Sequence, residues 1–262
     1  MRPDVKGEER HMILYFSSTG NCERVATCLA EQTGDTATSI VALMKAGQTS
    51  IELAESEQLG LVFPTCFGVL PTIVSDFLAG LRIEAPGDHY VFFVDTYGFH
   101  YGNLAPQVAE LLRRALGREQ DADFLVQMVD NWVPAFDLTD TAYVDEADRK
   151  AEETLVQVAA RVAARERVRV KGEWPAPVLF GMKATYRAGS KTKNFSVDDA
   201  CIGCGLCARQ CPLEVIQMQN GRPAWTKPTC TVCLGCLHRC PVNAIAYGKH
   251  TKGHGQYHNR HL

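Results

Sequence analysis

A chain of 262 residues, 46% hydrophobic and 22% charged, has a globular composition, which excludes a disordered, collagen-like or coiled-coil chain. No uncharged apolar run reaches the roughly 18 residues needed to cross a bilayer, and the first residues are too polar for a secretory signal, so a soluble, cytoplasmic protein without membrane insertion is expected. The net charge of −3 is unevenly divided: residues 1–166 hold 13 Lys/Arg against 26 Asp/Glu and residues 167–262 hold 14 against 4, so halves of −13 and +10 are expected to attract one another.

Residues 1–11 read as an extension outside the fold. Residues 12–17 form a short apolar run, then a polar loop, then a helical stretch at 23–32. The same alternation recurs at 59–63 with 74–81, at 89–95 with 104–116 and at 124–129 with 145–168, and an edge strand is expected at 38–42. Strands alternating with helices imply an α/β domain over residues 12–168 with a doubly wound, five-stranded parallel sheet. Residues 169–194 are basic and broken by Pro175, Pro177, Gly181 and Gly189, and read as a linker. Residues 195–262, a small α+β domain ending in a tail, have too few apolar runs to hold a fold by burial alone.

Cysteines supply what burial does not. Eleven are present, and eight fall in two runs 29 residues apart: Cys201, Cys204, Cys207, Cys211 and Cys230, Cys233, Cys236, Cys240, each run ending in Cys-Pro. Thiols in a reducing compartment serve metals or catalysis rather than disulfides. This spacing is that of a two-cluster iron-sulfur segment, in which the fourth cysteine of each run ligates the other cluster. Cys201, Cys204, Cys207 and Cys240 are therefore assigned to one [4Fe-4S] cluster, and Cys230, Cys233, Cys236 and Cys211 to the second. The alternative is a pair of zinc sites, but four ligands per ion leave the third cysteine of each run and the Cys-Pro ending unexplained. The repetition predicts a pseudo-twofold unit, with Gly203, Gly205 and Gly235 allowing a tight wrap.

The loop Ser17-Ser18-Thr19-Gly20-Asn21-Cys22 lies between strand and helix, where backbone N–H groups and hydroxyls suit a phosphate. It lacks the spacing of a nucleoside triphosphate or dinucleotide loop, which leaves a phosphate monoester. In such a sheet, ligands sit at the carboxyl ends of the strands. The loops following the next two strands of the alternation contain Pro64, Thr65, Phe67 and Gly68, then Thr96, Tyr97, Gly98, Tyr101, Gly102 and Asn103, joining aromatic faces to glycines as a planar ring requires. Asn131 and Trp132 are expected either to cover the planar ring or to cap the next segment, with the cap favoured, Cys28 to be a small buried residue, and His238 to face solvent or a cluster edge. The tail histidines His250, His254, His258 and His261 are read as solvated or docked rather than metal-binding.

Residues 197–247 resemble a bacterial-type ferredoxin with two [4Fe-4S] clusters, and residues 12–166 resemble a flavodoxin, in which the Ser-x-Thr-Gly-Asn loop holds the FMN phosphate; here Cys22 stands where Thr is usual. The resemblance implies that Phe67 and either Tyr97 or Tyr101 flank the flavin, with Gly68 near its ring edge. Together the two parts resemble the flavodoxin-ferredoxin fusion proteins of anaerobic bacteria and archaea, which implies electron transfer between clusters and FMN and on to a redox partner protein, with a homodimer open. The alternative is an FMN-dependent reductase of a quinone, nitro compound or corrinoid, fed through the clusters, with His100 or Tyr101 as proton donor. Nucleic acid is not an expected partner, since no recognition helix, base-stacking pattern or long Lys/Arg run is present.

Overall fold

The computed structural model describes residues 12–55 and 57–262; the extension read at residues 1–11 lies outside them. In chain order the first part comprises β1 (Met12–Tyr15), α1 (Asn21–Thr33), β2 (Thr36–Ser39), α2 (Ile40–Lys45), β3 (Ser50–Glu52), β4 (Leu59–Pro64), α3 (Thr72–Gly80), β5 (Arg82–Glu84), β6 (Val91–Tyr97), α4 (Leu104–Ala115), β7 (Ala122–Gln127) and α5 (Thr141–Ala163). Five of the strands form a parallel sheet in the order β2-β1-β4-β6-β7, the flavodoxin-like order in which the chain reverses direction beside β1.

Side chains alternate through the sheet as strand geometry demands. Leu59, Leu61 and Phe63 of β4 and Val91 and Phe93 of β6 pack with Val74, Phe77, Val108 and Leu112 of α3 and α4. Val62, Phe92 and Val94 face the other way, onto Val25, Leu29, Leu155 and Val158 of α1 and α5. The edge strand expected at 38–42 is displaced: it ends at Ser39, whose hydroxyl accepts from the Val41 N–H at 3.3 Å and caps α2. The short parallel pair β3–β5 has no counterpart in the sequence reading.

The basic stretch read as an irregular linker contains a 14-residue helix, α6 (Ala176–Gly189), started by Pro175 and Pro177. Its inward stripe is only Leu179, Met182 and Tyr186, too sparse for a periodic signal. The remainder comprises β8 (Phe195–Val197), α7 (Leu206–Arg209), β9 (Ile216–Gln219), β10 (Arg222–Trp225), α8 (Gly235–His238) and β11 (Ile245–Tyr247). β8 pairs with β11 and β9 with β10, both antiparallel, giving a small α+β region.

Val69, Val129, Val133 and Leu138 from the sheet loops share one buried cluster with Phe195, Val232, Leu234, Leu237, Ile245, Tyr247 and Tyr257. Apolar burial thus joins the two regions. The attraction expected from the charge halves is present as well: Arg169 meets the buried Asp123 at 2.8 Å and Glu119 at 3.1 Å, Arg167 meets Asp121 at 3.2 Å and Arg260 meets Asp145 at 2.5 Å, although an ion pair as exposed as Arg260–Asp145 is worth about 0–1 kcal/mol.

Candidate functional site

The carboxyl ends of β1, β4, β6 and β7 open into a cavity of about 310 Å³. Ser17, Ser18, Thr19, Asn21 and Cys22 line it on one side; Pro64, Thr65, Phe67, Gly68, Thr96, Tyr97 and Gly98 line it on the other. Of the expected residues, Gly20, Tyr101, Gly102 and Asn103 are not among its lining. Tyr97 stands in the wall, and Tyr101 packs edge-on behind it at 5.7 Å, which separates the two tyrosines. Gly102 and Asn103 brace the wall instead. Asn103 N–H donates to the Gly68 carbonyl at 3.0 Å, and a Cβ on Gly102 would lie 2.2 Å from the Gly68 Cα. Phe67 and Gly68 both take positive φ, 54° and 70°, turning the ring of Phe67 into the cavity.

Around the polar loop the side chains are largely committed to the protein. Gly20 N–H donates to the Ser17 hydroxyl at 3.0 Å, Asn131 Nδ2 donates to the Thr19 hydroxyl at 2.8 Å, and the Ser18 hydroxyl donates to the Cys233 carbonyl at 2.9 Å. Asn131 therefore ties down the loop rather than capping its own segment. The Asn21 amide is spent on Val129, Tyr257 and Asn259, and Cys22 is buried beside the Thr96 hydroxyl at 3.0 Å. What remains for a ligand is the hydroxyl protons of Ser17 and Thr19, which only accept in these bonds, and the start of α1, which begins after Gly20 at φ 101° with no side-chain cap and so leaves its first-turn N–H groups to an anion. No Lys or Arg among the described residues lines the cavity. An uncapped helix end facing aromatic and glycine loops suits a molecule with one anionic end and a flat aromatic body.

Trp174, Met182 and Trp132 also line this cavity, and the sequence reading missed the first two. Trp174 lies on Gly68, where a Cβ would meet its ring at 2.0 Å, and the Trp174 backbone N–H donates to Asn103 Oδ1 at 2.9 Å. A tryptophan between Glu173 and Pro175 in a polar linker was the available signal. His100, half-exposed at the cavity, places Nδ1 2.5 Å from Glu173 Oε1.

The eight cysteines separate into two sets. Cys201, Cys204, Cys207 and Cys240 line one small cavity; Cys211, Cys230, Cys233 and Cys236 line another, of about 320 Å³. Cys211, from the first run, thus stands with three cysteines of the second. Among the described residues no three His, Cys, Asp or Glu side chains converge closely enough for a single metal ion, and the thiols instead ring openings. Burial pushes Cys233 up to about 12 and Cys236 well above the ordinary thiol range, so a positively charged centre is what would draw out their thiolates. Backbone N–H groups of Val215, Val232 and Ala244 reach the sulfurs of Cys211, Cys230 and Cys240 at 3.2–3.4 Å, which fixes the direction in which these sulfurs point. These features fit an iron-sulfur group better than an isolated ion.

The repeat extends to the backbone. Positive φ occurs at Gly203, Gly205 and Glu214 and again 29 residues on at Val232, Leu234 and Asn243. The second run thus holds a β-branched and a bulky residue where glycine is favoured, a strain of about 1–3 kcal/mol each, and both side chains are buried in the junction with the sheet. Residues 232–234 and 16–18 form a wall common to the sheet cavity and the second cysteine cavity. Arg239 strengthens it by donating to the Ser18 carbonyl at 2.8 Å.

His238 does not face solvent. It is 1% exposed, and both ring nitrogens are used, Nε2 with the Asn131 carbonyl at 2.9 Å and Nδ1 accepting from the Tyr257 N–H at 3.2 Å. The tail docks. His254 Nδ1 meets the Val133 carbonyl, Asn259 N–H donates to the Thr19 carbonyl at 2.8 Å, and the Tyr257 hydroxyl reaches Asn21 and Asp148. A Cβ on Gly20 would touch Leu262 and Asn259, so the tail covers the back of the loop.

Residues 200–245 match the family model described as a 4Fe-4S dicluster domain. Over 71 residues the chain is 38% identical to ABC transporter E family member 1 of Arabidopsis thaliana, a stretch that makes up 25% of this chain but only 12% of that protein. Among solved structures, the rubredoxin oxygen:oxidoreductase of the anaerobe Desulfovibrio gigas aligns at 19% identity and a TM-score of 0.32, covering 60% of this chain and 38% of that one. A protein of Bacteroides eggerthii described as a candidate flavoprotein aligns at 15% identity and a TM-score of 0.29, covering 53% of this chain and 98% of that one. At these scores neither likeness bears on the fold, which the strand order defines. Sheet order and matched segment together give the class: a flavodoxin-like parallel sheet followed by a smaller α+β region of iron-sulfur type, the build of a redox protein. No helix among the described residues is long and apolar enough to cross a membrane.

Proposed function

We propose that the chain is an electron-transfer protein carrying two [4Fe-4S] clusters and FMN side by side, in a sheet domain (12–168), a linker (169–194) and a cluster domain with its tail (195–262). Cys201, Cys204, Cys207 and Cys240 hold one cluster; Cys211, Cys230, Cys233 and Cys236 hold the other. The first-turn N–H groups of α1 with Ser17 and Thr19 hold the FMN phosphate, and Phe67, Tyr97, Gly68 and Gly98 surround the ring. When bound, the clusters supply one-electron exchange and the flavin one- or two-electron exchange, so the pairing converts between them.

The observation that carries this reading is the common wall. Residues 16–18 and 232–234 border both the sheet cavity and the cavity of the second cysteine set, within one chain. Ser18 and Arg239 lock that wall by two hydrogen bonds, and Val232 and Leu234 keep water from it. A redox partner protein completes the path, and no second copy of the chain is required. Anaerobic purification followed by iron, sulfide and flavin quantification tests the reading: about eight irons and one FMN per chain are expected. Zinc in place of iron, or absence of flavin, would contradict it.

One observation favours the second reading, a small-molecule reductase of the quinone, nitro-compound or corrinoid type. The His100–Glu173 pair reaches solvent beside the cavity and is able to hold a proton there. Under that reading, reduction of a benzoquinone in the presence of dithionite-reduced protein saturates with quinone and falls in His100→Phe; under the first it does neither.

A further inference from the structure

Among the described residues, two apolar patches outside the site face solvent. One is on α6, where Val178 and Phe180 project; the other is on the first cysteine run, where Ile202 is 65% exposed and Met218 36% exposed. The internal repeat distinguishes them, because it shows what covers the equivalent of the second patch.

In the second cysteine run, residues 231–235 are covered by the carboxyl edge of the sheet. The Ser18 hydroxyl binds the Cys233 carbonyl, Ser18 Cβ lies 3.4 Å from a Cβ built on Gly235, and Thr231, Val232 and Leu234 are all buried. Twenty-nine residues earlier stand Ile202, Gly203, Cys204, Gly205 and Leu206, with the same backbone turns. There Ile202, Gly203 and Cys204 are exposed, and the Cys204 carbonyl accepts from its own neighbour Arg209 at 2.8 Å. The structure therefore has one face twice, once covered and once bare.

We propose that the bare face of the first run is the docking surface for an acidic one-electron carrier protein, which sits on the first run as the sheet edge sits on the second. This rests on the electron-transfer reading above. Charge selects the partner: the nearest carboxylates are engaged within this region, Asp198 with Lys252 and Asp199 with Arg222, which leaves Arg209 at the rim exposed with no carboxylate partner among the described residues. Ile202 and Met218 give the apolar centre of a small, transient interface beside the exposed Cys204. In each encounter one electron crosses: one protein loses it and is oxidised, the other gains it and is reduced, and no atom or proton changes hands.

The test uses the full iron-loaded chain, a reduced acidic ferredoxin as carrier, and the variants Arg209→Glu, Ile202→Asp and, on α6, Phe180→Asp, each with its iron content measured. Arg209→Glu and Ile202→Asp are expected to lower the second-order rate of reduction by the carrier about tenfold or more and to weaken complex formation measured by calorimetry, with the rate falling as salt rises. Reduction of Arg209→Glu by dithionite stays at the wild-type rate. Phe180→Asp is expected to leave both readouts unchanged; loss in Phe180→Asp alone would move docking to α6 and overturn the proposal. A concentration-dependent dimer abolished by Ile202→Asp would make the face an interface between copies, with the same consequence. Iron-loaded variants with unchanged rates and affinity would remove this proposal alone, whereas wild-type protein without iron would remove the reading beneath it.

Discussion

The two cysteine runs share a spacing and a sequence of backbone turns but not their surroundings. In the first run the left-handed positions are Gly203 and Gly205 and the face meets solvent; in the second they are Val232 and Leu234, buried against the sheet. Steric strain argues against a β-branched residue at φ 46°, so its presence has to be offset, and the buried cluster joining the two regions is where the offset lies. One repeated motif has thus become two parts: a strained copy that binds the sheet and a relaxed copy that remains open.

The largest test of this comparison removes what both copies share. Chelation of the metal should unfold residues 195–262 while the parallel sheet keeps its cooperative transition, because among the described residues the buried cluster that this region does not share with the sheet loops is limited to Cys211, Val215 and Ile216. Circular dichroism and hydrogen exchange before and after chelation measure this; loss of the whole fold in one step would count against it.

Exchanging the residues between copies comes next. Gly203→Val should cost about 1–3 kcal/mol in strain with no burial in return, and its Cβ would lie 2.7 Å from the Gly221 carbonyl oxygen. Leu234→Gly forfeits a buried side chain, about 2–5 kcal/mol, and regains part of that as relieved strain. Denaturant midpoints of the iron-loaded variants decide the order, and Leu234→Gly should also separate the unfolding of the two regions.

A smaller effect lies where the tail secures the loop. Tyr257→Phe removes the hydroxyl that bonds Asn21 and Asp148, a loss of about 1–3 kcal/mol, and FMN affinity measured by fluorescence quenching should fall while iron content holds.

The smallest concerns Asp95 under the sheet cavity. Burial raises its carboxyl well above the ordinary range despite the hydrogen bond from the Thr65 hydroxyl at 2.7 Å. The native state therefore holds a proton that the unfolded chain releases near pH 4, so this contribution is complete below about pH 4 and is lost as pH rises toward the native pKa. Asp95→Asn should be more stable than the wild type at pH 7.5, with the gap closing toward pH 4.5; urea midpoints at the two values check the sign.

The sheet was legible because residues 59–63 and 91–94 are continuous apolar runs between helical stretches, and the cysteine runs because thiol spacing is conspicuous. The linker helix was not, since Leu179, Met182 and Tyr186 are its only inward residues among prolines and glycines. Trp174 escaped for the same reason: its role depends on Gly68, more than a hundred residues away in sequence. That Tyr97 rather than Tyr101 lines the cavity depends on the tertiary setting of the bend at Gly98, where any side chain would overlap Asp130. The contacts of His238 and of the tail are tertiary throughout, which no local pattern reveals.

The central claim, that one chain contains the path from the cysteine sets to the sheet cavity, is tested most directly by flash-reducing the cofactor-loaded protein and following electron redistribution between iron-sulfur and flavin absorbance over a range of protein concentrations. The account predicts a first-order rate independent of concentration. A rate that rises in proportion to concentration would place the path between chains and contradict it.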